Sequence, residues 1–169
     1  VIGIAAPFNS PTEIREHGSS FTETIRRGAF ARTIAERGAS KVKLLAQHDM
    51  QKLPLGRADV LREDAGGLYI EARVSKTVAG DEALALVADG VLDAFSVGFT
   101  VTRDGERWNR DRTERDLVDV KLIEVSLTPF AAYESALVSG IRADLYDPNL
   151  DPEFILRQMA LTPHRKTPR

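Results

Sequence analysis

Cysteine is absent from the 169 residues, which excludes disulfides, thiolate-bound zinc and a cysteine nucleophile. Histidine is scarce: His17, His48 and His164 are too few and too scattered for a histidine-only metal site. A charge of one sign is also missing. Lys and Arg number 23 against 25 Asp and Glu, a formal net charge of −2, so the basic excess that marks nucleic-acid binders is not there. The longest apolar run, Ala83 to Ala88, falls far short of the ~20 residues that span a bilayer. No positive n-region of a signal peptide precedes Val1-Ile2-Gly3-Ile4. What is present is 43% hydrophobic residues, enough for one domain that buries roughly 70% of its unfolded surface. The expectation is a soluble globular domain with no nucleic-acid and no membrane partner.

Short strands separated by turn signals dominate the pattern. Val42, Leu44 and Ala46 alternate with Lys41, Lys43 and Leu45 up to His48, and Leu55 to Arg62 stops at Glu63-Asp64-Ala65-Gly66-Gly67. Leu68, Ile70, Ala72 and Val74 give the cleanest half-buried strand, and Phe95, Val97, Phe99 and Val101 a further one. Asp116 to Thr128 reads as one strand, apolar on both sides in its middle and so covered on both faces. Helices are expected over 26–37, ended by Gly38, and over 81–89, opened by Asp81-Glu82. A third, Pro152 to Ala160, lies beyond Asp147-Pro148-Asn149. Residues 1–141 are therefore read as the domain, and 142–169 as an appendage with a short helix and a basic tail. Between Arg103 and Asp116 five arginines and five acids surround Trp108. That balance suits a solvated, mobile hairpin tip, with a substrate-guiding flap as the alternative.

Three residues are suited to chemistry. Ser96 points away from Phe95 and Val97, between Ala94 and Gly98, so small neighbours leave room for a substrate; an ordinary strand serine beside a glycine bulge has the same pattern. His48 ends a hydrophobic strand, where an imidazole is either hydrogen-bonded structure or a general base. Asp49 beside it points to the opposite side of an extended chain. Glu124, inside Leu122-Ile123-Glu124-Val125, must be solvated locally or paired, either with an arginine or with an imidazole it orients. A metal site from His48, Asp49 and Glu124 lacks paired-ligand spacing.

Six collinear segments join these signals. They are Arg27-Gly28-Ala29-Phe30, Leu45-Ala46-Gln47-His48-Asp49 with Pro54-Leu55-Gly56, Gly67-Leu68-Tyr69-Ile70-Glu71, Ala83-Leu84-Ala85-Leu86-Val87, Phe95-Ser96-Val97-Gly98-Phe99, and Leu122-Ile123-Glu124-Val125-Ser126-Leu127-Thr128-Pro129-Phe130-Ala131. In that order the chain resembles the prohead (capsid maturation) serine proteases of tailed bacteriophages, relatives of the herpesvirus assemblins. The resemblance implies a mainly β fold with peripheral helices, an antiparallel β-barrel of the assemblin-like type. It implies limited proteolysis of capsid and scaffold precursors, and of the protease itself, inside the assembling procapsid in the host cytoplasm. The major capsid protein with its scaffold segment would be the partner. By position the nucleophile falls on Ser96, the base on His48 and the acidic member on Glu124, with no metal or cofactor needed. Assemblins place a second histidine third in the triad, where this chain has none. They also carry an arginine-bearing loop without a counterpart between Thr128 and Tyr133. They act as dimers, so a homo-oligomer is an open arrangement, although no dimer helix is identifiable. Two rival readings are a catalytically silent capsid-assembly or scaffold-binding module and a small-molecule esterase; the latter lacks a Gly-x-Ser-x-Gly elbow.

Overall fold

A computed structural model describes residues 1–16, 18–133 and 135–141; the expected helix Pro152 to Ala160 and the rest of the appendage lie outside them. Eleven strands and two helices follow in chain order: β1 (Ile2–Pro7), β2 (Thr12–Glu16), β3 (Ser19–Ile25), α1 (Ala31–Arg37), β4 (Lys43–Ala46), β5 (Gly56–Glu63), β6 (Gly67–Val74), α2 (Val78–Ala88), β7 (Ala94–Val101), β8 (Glu106–Trp108), β9 (Glu114–Leu117), β10 (Val120–Thr128) and β11 (Val138–Gly140). Seven strands form one sheet in the order β11-β1-β6-β5-β4-β10-β7, and β2-β3-β9-β8 form a second. The large sheet curls into a half-barrel. Its ends, β11 and β7, are tied where Phe95 N–H donates to Ala136 O at 2.7 Å and Val138 N–H to Asp93 O at 2.9 Å. Phe30, Phe95, Leu44, Leu68, Ile70, Leu122 and Leu127 are fully buried within it.

The mainly β expectation holds, but the sheet is mixed rather than antiparallel. β4 runs parallel to β10, with Leu45 opposite Ser126 and Ala46 opposite Leu127, while its other neighbour β5 is antiparallel. A parallel pair needs a long crossover, and the chain from β5 to β9 supplies it.

The single strand expected over Asp116 to Thr128 is two strands in two sheets. The chain bends at Val118-Asp119, whose N–H groups both donate to Gly105 O at 2.8 and 3.1 Å. A Cβ on Gly105 would lie 1.9 Å from Asp119 O, so only glycine allows this approach. The doubly apolar middle has its own cause. A bulge between Leu122 and Glu124 leaves Ile123 unpaired, and the extra residue lets Leu122, Val125 and Leu127 all face the core.

Both helix boundaries shift. Helix α1 starts at Ala31 rather than Arg26, because residues 26–30 form a turn whose Gly28 and Phe30 N–H groups are held by the Glu63 carboxylate at 2.7 and 2.8 Å. Helix α2 starts three residues before Asp81, with Thr77 Oγ1 accepting the Gly80 N–H at 3.1 Å as the cap. The charged stretch is a hairpin, as expected, but its base is packed rather than solvated. Phe21 meets Trp108 edge-on at 5.0 Å, and Arg115 lies over both rings while pairing with buried Glu23, which also accepts from Tyr133. No helix among the described residues is long and apolar enough to cross a membrane.

Candidate active site

Three neighbouring strands of the large sheet build the site, β4, β10 and β7. Antiparallel pairing of β10 with β7 sets Ser126 directly opposite Ser96 and Glu124 opposite Gly98. Paired residues of a pleated sheet project to the same side, so Ser96, Gly98, Glu124 and Ser126 share one face. The core takes the other face through Phe95, Val97, Val125 and Leu127. Parallel pairing of β4 with β10 delivers the chain after Ala46 over this face, where it turns sharply and presents His48.

That turn is conformationally unusual. Gln47 and His48 both take positive φ, 51° and 59°, a left-handed backbone that costs about 1–2 kcal/mol per residue outside glycine. Hydrogen bonds hold it in place. Gln47 N–H donates to Leu127 O at 3.0 Å, His48 N–H to Ser126 Oγ at 2.9 Å and Asp49 N–H to Ala46 O at 3.0 Å. Local strain maintained by its surroundings is a frequent mark of a functional turn.

The imidazole and the carboxylate meet directly. His48 Nδ1 lies 2.7 Å from Glu124 Oε1, and Ser126 Oγ donates to Glu124 Oε2 at 2.7 Å. A carboxylate only accepts, so the ring proton sits on Nδ1 and Nε2 is left as the basic nitrogen. The side chain of Glu124 is 5% exposed and that of His48 43%: the acid is sealed in while the base reaches solvent. The hydrogen bond to Glu124, aided by its charge, raises the His48 pKa above 6.5 against the opposing effect of partial burial.

Of the three residues selected from sequence, His48 and Glu124 are brought into contact, and Glu124 has a histidine rather than an arginine as its partner. Ser96 lies one strand away on the same face, 8% exposed. Among the described residues its hydroxyl has no hydrogen-bond partner, and no His48–Ser96 bond is present. Asp49 takes no part: it accepts from Gln51 N–H at 3.0 Å and pairs with Lys52 at 3.3 Å, so the His48, Asp49 and Glu124 metal set does not assemble.

Two further residues shape the site in ways the sequence does not reveal. Gly98 is small because Glu124 lies across it; a Cβ there would sit 2.1 Å from Glu124 Oε1 and 3.0 Å from its Cδ. The room attributed to a substrate at that position is occupied by the acid. Ser126, fully buried, binds both Glu124 and the His48 backbone. Its signal is the Glu-x-Ser spacing within the apolar middle of the strand, which places two polar side chains on one face.

Comparison with known proteins bears on this geometry. The family model described as caudovirus prohead serine protease matches residues 1–148. The prohead protease of Enterobacteria phage HK97 is 29% identical over 143 residues, 83% of this chain. The chain spans 59% of the length of that relative.

Proposed function

Since the chain belongs to the caudovirus prohead serine proteases, we propose that it is a serine endopeptidase that cleaves capsid and scaffold precursors, and itself, within the assembling procapsid. The observation that carries the catalytic reading is the 2.7 Å contact of His48 Nδ1 with buried Glu124, which leaves Nε2 free on the face that bears Ser96. Ser96 Oγ attacks the scissile carbonyl carbon as Nε2 takes its proton. The resulting imidazolium, stabilised by Glu124, returns the proton to the departing amine. Water then enters by the same route and releases the acyl group from Ser96. The Ser96–His48 hydrogen bond forms with substrate, as catalytic hydrogen bonds that are long or absent in free enzymes tighten in the Michaelis complex. The curled mixed sheet is read as a variant of the assemblin-type barrel, with a glutamate in place of the second histidine.

The alternative is a silent capsid-assembly module. Labelling with a serine-directed fluorophosphonate separates the two, because only an activated serine reacts. Adduct formation at Ser96 supports the peptidase, and an inert protein that still binds capsid precursor supports the module.

Two expectations follow from the geometry. The rate of fluorophosphonate labelling should rise with pH through a midpoint above 6.5, the pH at which an unperturbed His would titrate. Replacing Glu124 with Gln should lower the His48 titration followed by NMR, since the group that raises the pKa is gone. Stability moves in the opposite direction: a raised folded-state pKa stabilises the fold below pH 6.5, and this contribution is lost as pH rises through the folded value. Labelling, the NMR titration and thermal melting across pH 5–9 check these signs. Second, Gly98→Ala should drive the Glu124 carboxylate away from His48. Overpacking of this kind costs about 1–3 kcal/mol of stability, and displacing a catalytic group by about 1 Å costs roughly 10²-fold in rate. Labelling kinetics beside a melting curve will show whether activity falls further than stability explains.

A further inference from the structure

We infer that Ser126 is the positioning residue of this site: one buried hydroxyl donates to Glu124 Oε2 at 2.7 Å and accepts the His48 backbone N–H at 2.9 Å, setting the acid and the base together. The inference rests on the catalytic reading of His48 and Glu124 above and adds to it a residue that never touches substrate.

The hydrogen-bond inventory is definite. A serine hydroxyl has one proton and two lone pairs. The proton goes to Glu124, and a lone pair receives His48 N–H. With Oε1 facing His48 Nδ1 and Oε2 facing Ser126, each oxygen of Glu124 has a donor, and the plane of the carboxylate is defined by two points rather than one. On its other side, Gly98 leaves no more space than the carboxylate needs. Ser126 also closes the turn that carries the base. Of the three hydrogen bonds holding the left-handed pair Gln47-His48, two are accepted by main-chain oxygens and the third by Ser126 Oγ. The side chain at position 126 therefore decides where the backbone of His48 sits, while Glu124 decides how its ring is rotated.

Ser126 is a poor candidate for the nucleophile itself, although it sits directly opposite Ser96. It is fully buried, whereas Ser96 retains 8% exposure. Its proton points to Glu124, and its oxygen faces the His48 main chain instead of Nε2. Of the two serines facing each other across β7 and β10, Ser126 has the committed hydroxyl, while that of Ser96 has no partner among the described residues.

The test uses the full chain and the fluorophosphonate probe, with four variants: Ser126→Ala, Ser126→Cys, Ser96→Ala and Glu124→Gln. Ser126→Ala should slow labelling at least tenfold at saturating probe, with half-saturation unchanged within twofold. In the proton NMR spectrum it should abolish or move upfield the downfield signal of the His48 Nδ1 proton, identified by its displacement in Glu124→Gln. Ser126→Cys is nearly isosteric with a weaker donor, so it should shift both readouts in the same direction by less, and it reports even if the alanine variant does not fold. Wild-type labelling and an unmoved Nδ1 signal in the Ser126 variants overturn the inference while leaving the catalytic reading intact, provided Ser96→Ala and Glu124→Gln are inactive. Retained labelling in Ser96→Ala overturns the catalytic reading instead. An adduct on Ser126 in the wild-type protein overturns both.

Discussion

Ser96→Ala should leave a folded protein that neither cleaves capsid precursor nor reacts with a fluorophosphonate. The stability half of this expectation follows from what the side chain touches. Ser96 sits on the site face of β7, and its hydroxyl has no hydrogen-bond partner among the described residues. Removing one oxygen orphans no other group and opens no core cavity, so the change in stability should stay within about 1 kcal/mol. That corresponds to about 3 °C in melting temperature for a domain of this size. The catalytic half is far larger. Loss of the nucleophile costs about 10⁶ in kcat in a well-studied serine protease of another family. Incubation with precursor, followed on a gel beside a melting curve, reads both halves. Processing at the wild-type rate by a protein of unchanged stability would remove Ser96 from the mechanism.

Glu124→Gln should lower turnover by about 10⁴, the loss that follows amide replacement of the acid in the triad whose tautomer argument applies here. Gln matches Glu in shape, and Ser126 Oγ has a lone pair left for an amide donor. The side chain is thus able to keep hydrogen bonds in either orientation, and the fold should survive. Each orientation harms the base. With the amide oxygen toward His48, the Nδ1 proton is still held but the imidazolium loses its counter-charge. With the NH₂ toward His48, Nδ1 must accept, the ring proton moves to Nε2, and no base faces Ser96. Single-turnover cleavage separates this loss from binding, since KM should change little while kcat collapses. A variant with near-normal kcat would mean that the contact of His48 with Glu124 serves the fold alone.

The sequence was most legible where periodicity is local. The alternation of Leu68 to Val74 became β6 and that of Phe95 to Val101 became β7, with shifts of one residue. It was least legible where long-range packing overrides local signals. Val78-Ala79-Gly80 includes poor helix formers ahead of Asp81, so the Thr77 cap passed unseen. Leu122-Ile123 looked like a strand buried on both faces and proved to contain a bulge. β1 to β3 were not anticipated: β1 mixes Ile with Ala and Gly, and no clean alternation marks it. The site divides in the same way. His48, Ser96 and Glu124 were each ambiguous in isolation and gained roles through resemblance, while the His48–Glu124 contact depends on β4 lying parallel to β10. Strand partners chosen across such a distance leave no trace in either segment. Gly98 was noticed for its smallness but assigned to the substrate, because only the register shows that it faces Glu124. Ser126 has no role legible in the sequence, since one serine in a largely apolar strand carries little signal until its partners are known.

The proposed mechanism requires that His48, oriented by Glu124, activate Ser96 and no other serine. Mass-spectrometric mapping of the fluorophosphonate adduct, in the wild-type protein and in His48→Ala, tests it most directly. A single adduct on Ser96 in the wild type and its loss in His48→Ala are expected. An adduct on any other residue, or equal labelling of Ser96 without His48, would contradict it.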